Sequence, residues 1–183
     1  MRQARKNRSY ELCEYTDEWP MVFKKLEVTL RSIYGELALD IQHIGSTSIP
    51  GMLSKPTIDV LVITDRIDKV KKLYPVFQKH GYVCWGNLVM SGEEYFTFDD
   101  KPGHRLYNVH TMSLGSEHAK SVITFREYIR THTDEAKIYM AIKVKLRDAH
   151  GSDDYITYND QKTILMQELK DKAHAWGKTN GLY

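Results

Sequence analysis

The residues best suited to chemistry lie between His43 and Val62. They read His43-Ile44-Gly45-Ser46-Thr47-Ser48-Ile49-Pro50-Gly51 and then, after a short gap, Lys55-Pro56-Thr57-Ile58-Asp59-Val60-Leu61-Val62. Gly45 lets a ligand approach the backbone and tolerates dihedrals that other residues avoid. Ser46, Thr47 and Ser48 set three hydroxyls beside backbone N–H groups, which form an anion nest if the loop opens a short helix. Lys55 adds a point charge suited to phosphate. Asp59 is the anomaly. A carboxylate among Ile58, Val60, Leu61 and Val62 is costly to bury unpaired, so it needs a cation, a hydrogen-bond network or a metal. A structural salt bridge and a ligand or metal role both meet that need.

Further candidates lie outside this stretch. His43 ends a run just before the loop, where a satisfied structural histidine and a ligand or proton relay are both open readings. Asn108 and His110 have period-2 spacing, which puts them on one face of a strand. Arg105 follows Lys101-Pro102-Gly103-His104; a solvated loop tip and a bidentate phosphate contact compete there. Arg126 and Arg130 share a helix face, either in a surface ion network with Glu127 and Asp134 or as a cationic wall over an anionic ligand. Tyr139 and Lys143 repeat that spacing. Glu93, Glu94, Asp99 and Asp100 are the acids that would complete a carboxylate cluster if they reached Asp59.

These residues need elements to hold them. Thr16-Asp17 caps a helix expected over about 17–35, with Pro20 tolerated in its first turn and Trp19 pinning it to the core. Ala38–Ile44 alternates as a half-buried strand, and Ile58–Thr64 reads as a strand covered on both faces. Arg66–His80 is expected to be a helix closed by Gly81. Residues 82–112 are aromatic and β-branched, broken by Gly86-Asn87, Ser91-Gly92 and Asp99–Gly103, and so are strands. Helices are expected over about 116–131, 134–149 and 157–175. The reading is an α+β fold: a mixed sheet flanked by helices with a helical C-terminal third. Residues 1–15 read as a flexible basic tail and 16–183 as a single domain.

The run HIGSTSIPG…KPTIDVLV resembles the signature of the GrpB family of small bacterial proteins. The likeness continues in YTDEWP (Tyr15 to Pro20), FREYIRTH (Phe125 to His132), Tyr139…Lys143…Leu146 and Tyr158…Lys162, in order along the chain. The family is similar to the nucleotidyltransferase fold. The resemblance therefore implies a Gly-Ser pair on a strand-to-helix turn and Asp-x-Asp on the next strand. Those acids, with a third from a later strand, hold two divalent metals that bridge nucleotide phosphates. Gly45-Ser46 matches the pair. Asp59 aligns with the second acid, leaving Thr57 at the first; aligned with the first, it leaves Leu61 at the second. Where relatives resemble His-x-His-Val, this chain has Asn108-Val109-His110-Thr111. An imidazole at 110 suits zinc, nickel or iron better than magnesium.

The resemblance, together with the reading of the residues themselves, gives an expected site with Asp59 and His110 as catalytic residues and Asp59, His110 and His43 as metal ligands. Gly45, Ser46, Thr47, Ser48, Lys55, Arg105, Arg126 and Lys143 would bind phosphate. The expected ligand is a nucleotide or other phosphorylated small molecule with a divalent metal. The expected activity is nucleotidyl transfer, or binding alone in a degenerate module of the same fold.

Composition sets the outer limits. With 26 Lys+Arg against 24 Asp+Glu, the net charge of +2 gives no whole-surface case for nucleic acid. No apolar run approaches the roughly 20 residues that span a bilayer, and the basic N-terminus lacks the apolar segment of a secretory signal. Two cysteines, Cys13 and Cys84, make no disulfide framework, so a cytoplasmic protein with free thiols is expected.

Overall fold

The computed structural model describes residues 10–87, 91–151 and 154–182. Helix α1 (Glu18–Tyr34) leads into strand β1 (Asp40–Ile44), a loop, and strand β2 (Ile58–Thr64). A 3-10 segment (Ile67–Leu73) and helix α2 (Tyr74–Lys79) connect to β3 (Val83–Gly86), β4 (Glu93–Lys101) and β5 (His104–Ser113). Four helices follow: α3 (Glu117–Thr131), α4 (Thr133–His150), α5 (Tyr155–Leu165) and α6 (Gln167–Thr179). The strands form one sheet in the order β1-β2-β5-β4-β3. The β2–β5 pair is parallel and the others are antiparallel, so the α+β class and mixed sheet are as expected.

Interior strand β2 is buried on both faces except at Asp59, which is half-buried. One face carries Val60 and Val62, packed with Val109, Phe96 and Phe77 beneath Leu26, Leu30 and Ile33 of α1. The other carries Leu61 and Ile63, packed with Ile44, Met112 and Ala119 of α3. Helices α3, α4 and α6 share a further core of Tyr128, Ile129, Tyr139, Leu169 and Ala173, which also takes in Ile49 and Met52 of the β1–β2 loop. The helical C-terminal third is thereby attached to the loop. No helix among the described residues is long and apolar enough to cross a membrane.

Three expectations need correction. The helix expected over Arg66–His80 is 3-10 as far as Leu73 and becomes α-helical only at Tyr74. Pro75 lies in the first turn of α2 and has no N–H to continue an α-helical ladder from the preceding turn. The last expected helix is two helices, parted at Met166. Tyr155 and Tyr158 bury toward Tyr10 and Leu146, whereas Met166, Leu169 and Ala173 bury in the α3–α4 core; one straight helix could not face both. The N-terminal tail is shorter than expected. Residues 1–9 lie outside the described residues, but Tyr10 is only 6% exposed. Cys13 exchanges two backbone hydrogen bonds with Ser54, N–H to carbonyl in both directions, at 2.8 and 3.0 Å. A buried aromatic ring and a backbone bridge fix this segment against the loop that follows β1.

Candidate functional site

Strand register decides which candidates meet. Ile44 of β1 pairs with Asp59, and in the parallel β2–β5 ladder Asp59 pairs with Asn108 and Leu61 with His110. Alternate residues share a face, so Asp59, Asn108 and His110 project from the same side of the sheet. Directly beside Asp59 is Gly45, at φ +70°; a Cβ added there would come within 2.3 Å of Asp59 Oδ2. The glycine is therefore required twice, by its left-handed backbone and by the carboxylate resting against it.

Asp59 is held by a side-chain amide. Asn108 Nδ2 donates to Asp59 Oδ1 at 2.6 Å. Asn108 Oδ1 accepts in turn from Tyr95 Oη at 2.8 Å and from a terminal guanidinium nitrogen of Arg105 at 3.0 Å. Arg105 Nε is bonded to Asp99. The guanidinium expected to reach phosphate bidentately is thus already engaged and is buried. It lines an adjoining cavity of about 600 Å³ with Tyr10, His104 and Arg147.

The donor set for two divalent metals does not assemble. Thr57, two residues before Asp59, donates its hydroxyl to the Arg105 carbonyl at 3.1 Å. Glu93 bonds His110 Nδ1, Glu94 bonds the Tyr74 hydroxyl, Asp99 bonds Arg105 and Asp100 bonds His104. Each of these acids is taken by another partner, and none completes a cluster with Asp59. Among the described residues no group of three or more His, Cys, Asp and Glu side chains converges to hold a metal. Asp59 and His110 share a face, but the residues present do not fit the expected metal pair.

His43, expected as a ligand, is instead a structural residue. It pairs with Val60 and so faces the other side of the sheet from Asp59. Its ring stacks on Phe23 at 4.9 Å and 11°, and Nε2 lies 3.0 Å from Thr47 Oγ1. Thr47 spends its own hydroxyl proton on the Thr57 carbonyl at 3.1 Å, so His43 Nε2 is the donor. Burial lowers the His43 pKa to about 4, against the pull of Asp59, and keeps the ring neutral.

The loop hydroxyls divide in the same way. Ser48 donates to the Gly45 carbonyl at 2.6 Å, closing the turn, and both Ser48 and Thr47 are buried. Their hydroxyls serve the loop, contrary to the expectation that they face phosphate. Arg126 donates to the His43 carbonyl at 2.8 Å and pairs with Glu127 at 2.6 Å, while Arg130 donates to the Ser48 carbonyl. Neither open reading of these arginines is complete: they are ion-paired, and they clamp the backbone on both sides of Gly45. Arg126 lines a cavity of about 430 Å³, together with Ile49, Val122, Phe125 and Lys170, that meets the Asp59 cavity at Ser46.

The Asp59 cavity has a volume of about 210 Å³ and is lined by Ser46, Lys55, His110, Lys143 and Lys162 as well as Asp59. Lys55 Nζ sits 4.1 Å from the Tyr155 ring centroid, 5.4 Å from that of Tyr158 and 6.0 Å from that of Tyr10, a cation–π setting. Lys143 is 2% exposed. Its Nζ donates to Ser46 Oγ at 2.8 Å and to the Leu53 carbonyl at 2.7 Å, and lies 3.9 Å from the Tyr139 centroid. Burial, opposed by Tyr139 and aided by Lys162 and Lys55, lowers its pKa to about 8. Tyr139 Oη lies 2.9 Å from Ser46 Oγ. Burial raises the phenol's pKa, but Lys143, Lys162, the Ser46 hydrogen bond and Lys55 together bring it down to about 8. Lys162 has no ion-pair partner among the described residues.

Sequence alone does not mark Lys162, Tyr155 or Tyr158 as site residues; it marks Tyr139 only by its spacing from Lys143 and Glu93 only as a possible partner of Asp59. A signal was nonetheless present. Tyr139-x-x-x-Lys143 and Tyr158-x-x-x-Lys162 repeat one spacing on successive helices, and at i,i+4 each pair shares a helix face.

Comparison with known proteins places this arrangement in context. The sequence profile of the GrpB protein family matches residues 9–172. A UPF0157 protein of Halalkalibacterium halodurans is 32% identical over 177 residues, covering 92% of this chain and 85% of that protein. The crystal structure of the conserved protein GrpB from Enterococcus faecalis superposes with a TM-score of 0.81 at 30% identity, covering 89% of this chain and 96% of that one. A more distant likeness, to the Cid1 poly(U) polymerase, has a TM-score of 0.49 at 12% identity over 73% of this chain and 43% of that one.

Proposed function

This chain belongs to the GrpB family, and on that premise we propose that it binds a nucleotide or other phosphorylated small molecule on a nucleotidyltransferase-like scaffold, with lysines in place of divalent metals. The observation that carries the reading is the charge of the 210 Å³ cavity: three lysines face one carboxylate. With Lys143 mostly protonated at pH 7, the lining has an excess of about two positive charges, which a phosphate monoester dianion would balance. The cavity is small for a whole nucleotide, since ligand sites commonly reach about 300–1,000 Å³. It shares Leu12, Lys55 and Thr57 with the 600 Å³ cavity and Ser46 with the 430 Å³ cavity, so the rest of a ligand has room on either side. Lys55 and Lys162 supply the point charges. Gly45 and Asp59 set the floor, and Asn108 holds Asp59 in place. Of the two expected activities, the lone carboxylate favours binding without nucleotidyl transfer.

The test is calorimetric titration of inorganic phosphate and nucleoside phosphates into the protein with a chelator present. Binding is expected without metal. Lys162→Ala should weaken it roughly 10- to 100-fold, as for the loss of one hydrogen bond to a charged group. Asp59→Asn removes the negative charge facing the lysines and should leave phosphate affinity unchanged or raise it. Binding that appears only with added magnesium, and is lost in Asp59→Asn, would overturn the lysine reading in favour of a metal site.

A further inference from the structure

Anion binding does not explain why the Lys143 ammonium points at a hydroxyl. In addition to Ser46 Oγ at 2.8 Å and the Leu53 carbonyl at 2.7 Å, Nζ has the Tyr139 ring beneath it, and no carboxylate among the described residues pairs with it. A buried ammonium without a carboxylate gives up its proton readily, which is how lysines come to serve as general bases. The pKa of about 8 follows from that burial. Ser46 differs from Thr47 and Ser48 in being half-buried rather than buried, and it lines both the lysine cavity and the 430 Å³ cavity. The set therefore comprises a reachable hydroxyl, a base within hydrogen-bonding distance, and a carbonyl that orients the base. These are the parts that covalent catalysis requires. The cavities on its two sides differ in kind. One is lined by lysines, and the other has an apolar wall of Ile49, Val122 and Phe125.

We propose that Ser46 is a nucleophile activated by Lys143, and that it takes an apolar acyl group from an ester whose anionic part lies on Lys55 and Lys162. The anionic half of this substrate class rests on the lysine reading above; the nucleophile rests only on the Ser46–Lys143–Tyr139 geometry. Neutral Lys143 accepts the Oγ proton as Oγ bonds to the carbonyl carbon and the π electrons move onto oxygen. On collapse, the bond from carbon to the leaving alcohol breaks, and Lys143 returns the proton to the alcohol oxygen. Water repeats the exchange on the acyl-serine, releasing the acid and restoring Ser46. Tyr139 Oη, at 2.9 Å from Oγ, holds the hydroxyl in line throughout.

The test uses an alkyl fluorophosphonate and intact-protein mass spectrometry, with the modified peptide sequenced. Oγ bonds to phosphorus, fluoride leaves and Lys143 takes the proton. One adduct is expected, on Ser46, with a rate that rises as pH passes through about 8. Ser46→Ala should give none, and Lys143→Met should slow labelling by about 100-fold or more. If Lys143→Met fails to fold, the pH profile of the wild type and the Ser46→Ala control still decide the matter. Absence of an adduct between pH 6 and 10, or an adduct that persists in Ser46→Ala, would overturn the proposal. Phosphate titration of the same preparation separates the two readings. Labelling without phosphate affinity supports the nucleophile and defeats the lysine cavity; phosphate affinity without labelling does the reverse.

Discussion

Replacing Gly45 by alanine tests the joint between loop and strand most directly. Gly45 has φ +70° and ψ −174°, a region occupied essentially by glycine alone, and forcing another residue there costs about 1–3 kcal/mol. The new methyl would also lie 2.3 Å from Asp59 Oδ2, so the carboxylate must swing away. In doing so it leaves Asn108 Nδ2, a hydrogen bond to a charged group worth about 1.5–3 kcal/mol. The two effects together come to about 2.5–6 kcal/mol, a large part of the roughly 5–15 kcal/mol that stabilises a typical domain. The assay is urea denaturation of Gly45→Ala, Asp59→Ala and the double variant. In the double variant the colliding oxygen is gone and the nearest remaining atom, the side-chain Cβ at position 59, lies 3.0 Å away, a contact that a shift of a few tenths of an ångström relieves. The backbone cost should persist while the collision disappears. The double variant should therefore be more stable than the sum of the singles by about 1.5–3 kcal/mol. Additivity within about 0.5 kcal/mol would mean that the two residues do not press on each other, and would refute the account.

Two further effects follow from the same surroundings. His43 is neutral in the fold down to about pH 4, whereas in the unfolded chain it protonates near 6.5. Between those values the unfolded state binds more protons, so stability falls as pH drops through the window, by about 3 kcal/mol at its acid end. Denaturation midpoints of wild type and His43→Gln at pH 7 and pH 4.5 check this; the variant should lose the part of the slope due to His43. Arg130→Ala withdraws the guanidinium donors from the Ser48 carbonyl and should cost about 1.5–3 kcal/mol in urea denaturation, with Arg130→Lys recovering only part because an ammonium lacks the planar fork.

The parts of this site legible from sequence are those governed by local pattern. The run Ile58–Thr64 shows by its unbroken apolar character that both faces are covered, and Asp59 stands out against it. Gly45 is recognisable because a glycine between a strand and a cluster of hydroxyls marks a turn. The errors arise where pairing or tertiary packing decides. His43 sits two residues before Gly45, but the face it occupies depends on the register of β1 against β2, which the loop sets and periodicity alone does not. Thr47 and Ser48 resemble anion ligands in composition, yet a loop this compact uses short hydroxyl side chains to satisfy its own carbonyls, and of the three only Ser46 is half-buried. Lys162 is marked in sequence only by its spacing from Tyr158, for the opposite reason. A helical lysine reads as solvated until the turn at Met166 and the packing of Tyr155 and Tyr158 against Tyr10 fix which way α5 faces. That placement also changes the meaning of the missing acids. Carboxylate clusters hold metals so that the metals can meet phosphate. Here lysines line the cavity directly, and on the proposed reading a second carboxylate beside Asp59 would cancel the charge that draws an anion. Thr57 and Asn108 fit the proposed lysine site in being polar groups that order the backbone and hold Asp59 without adding negative charge.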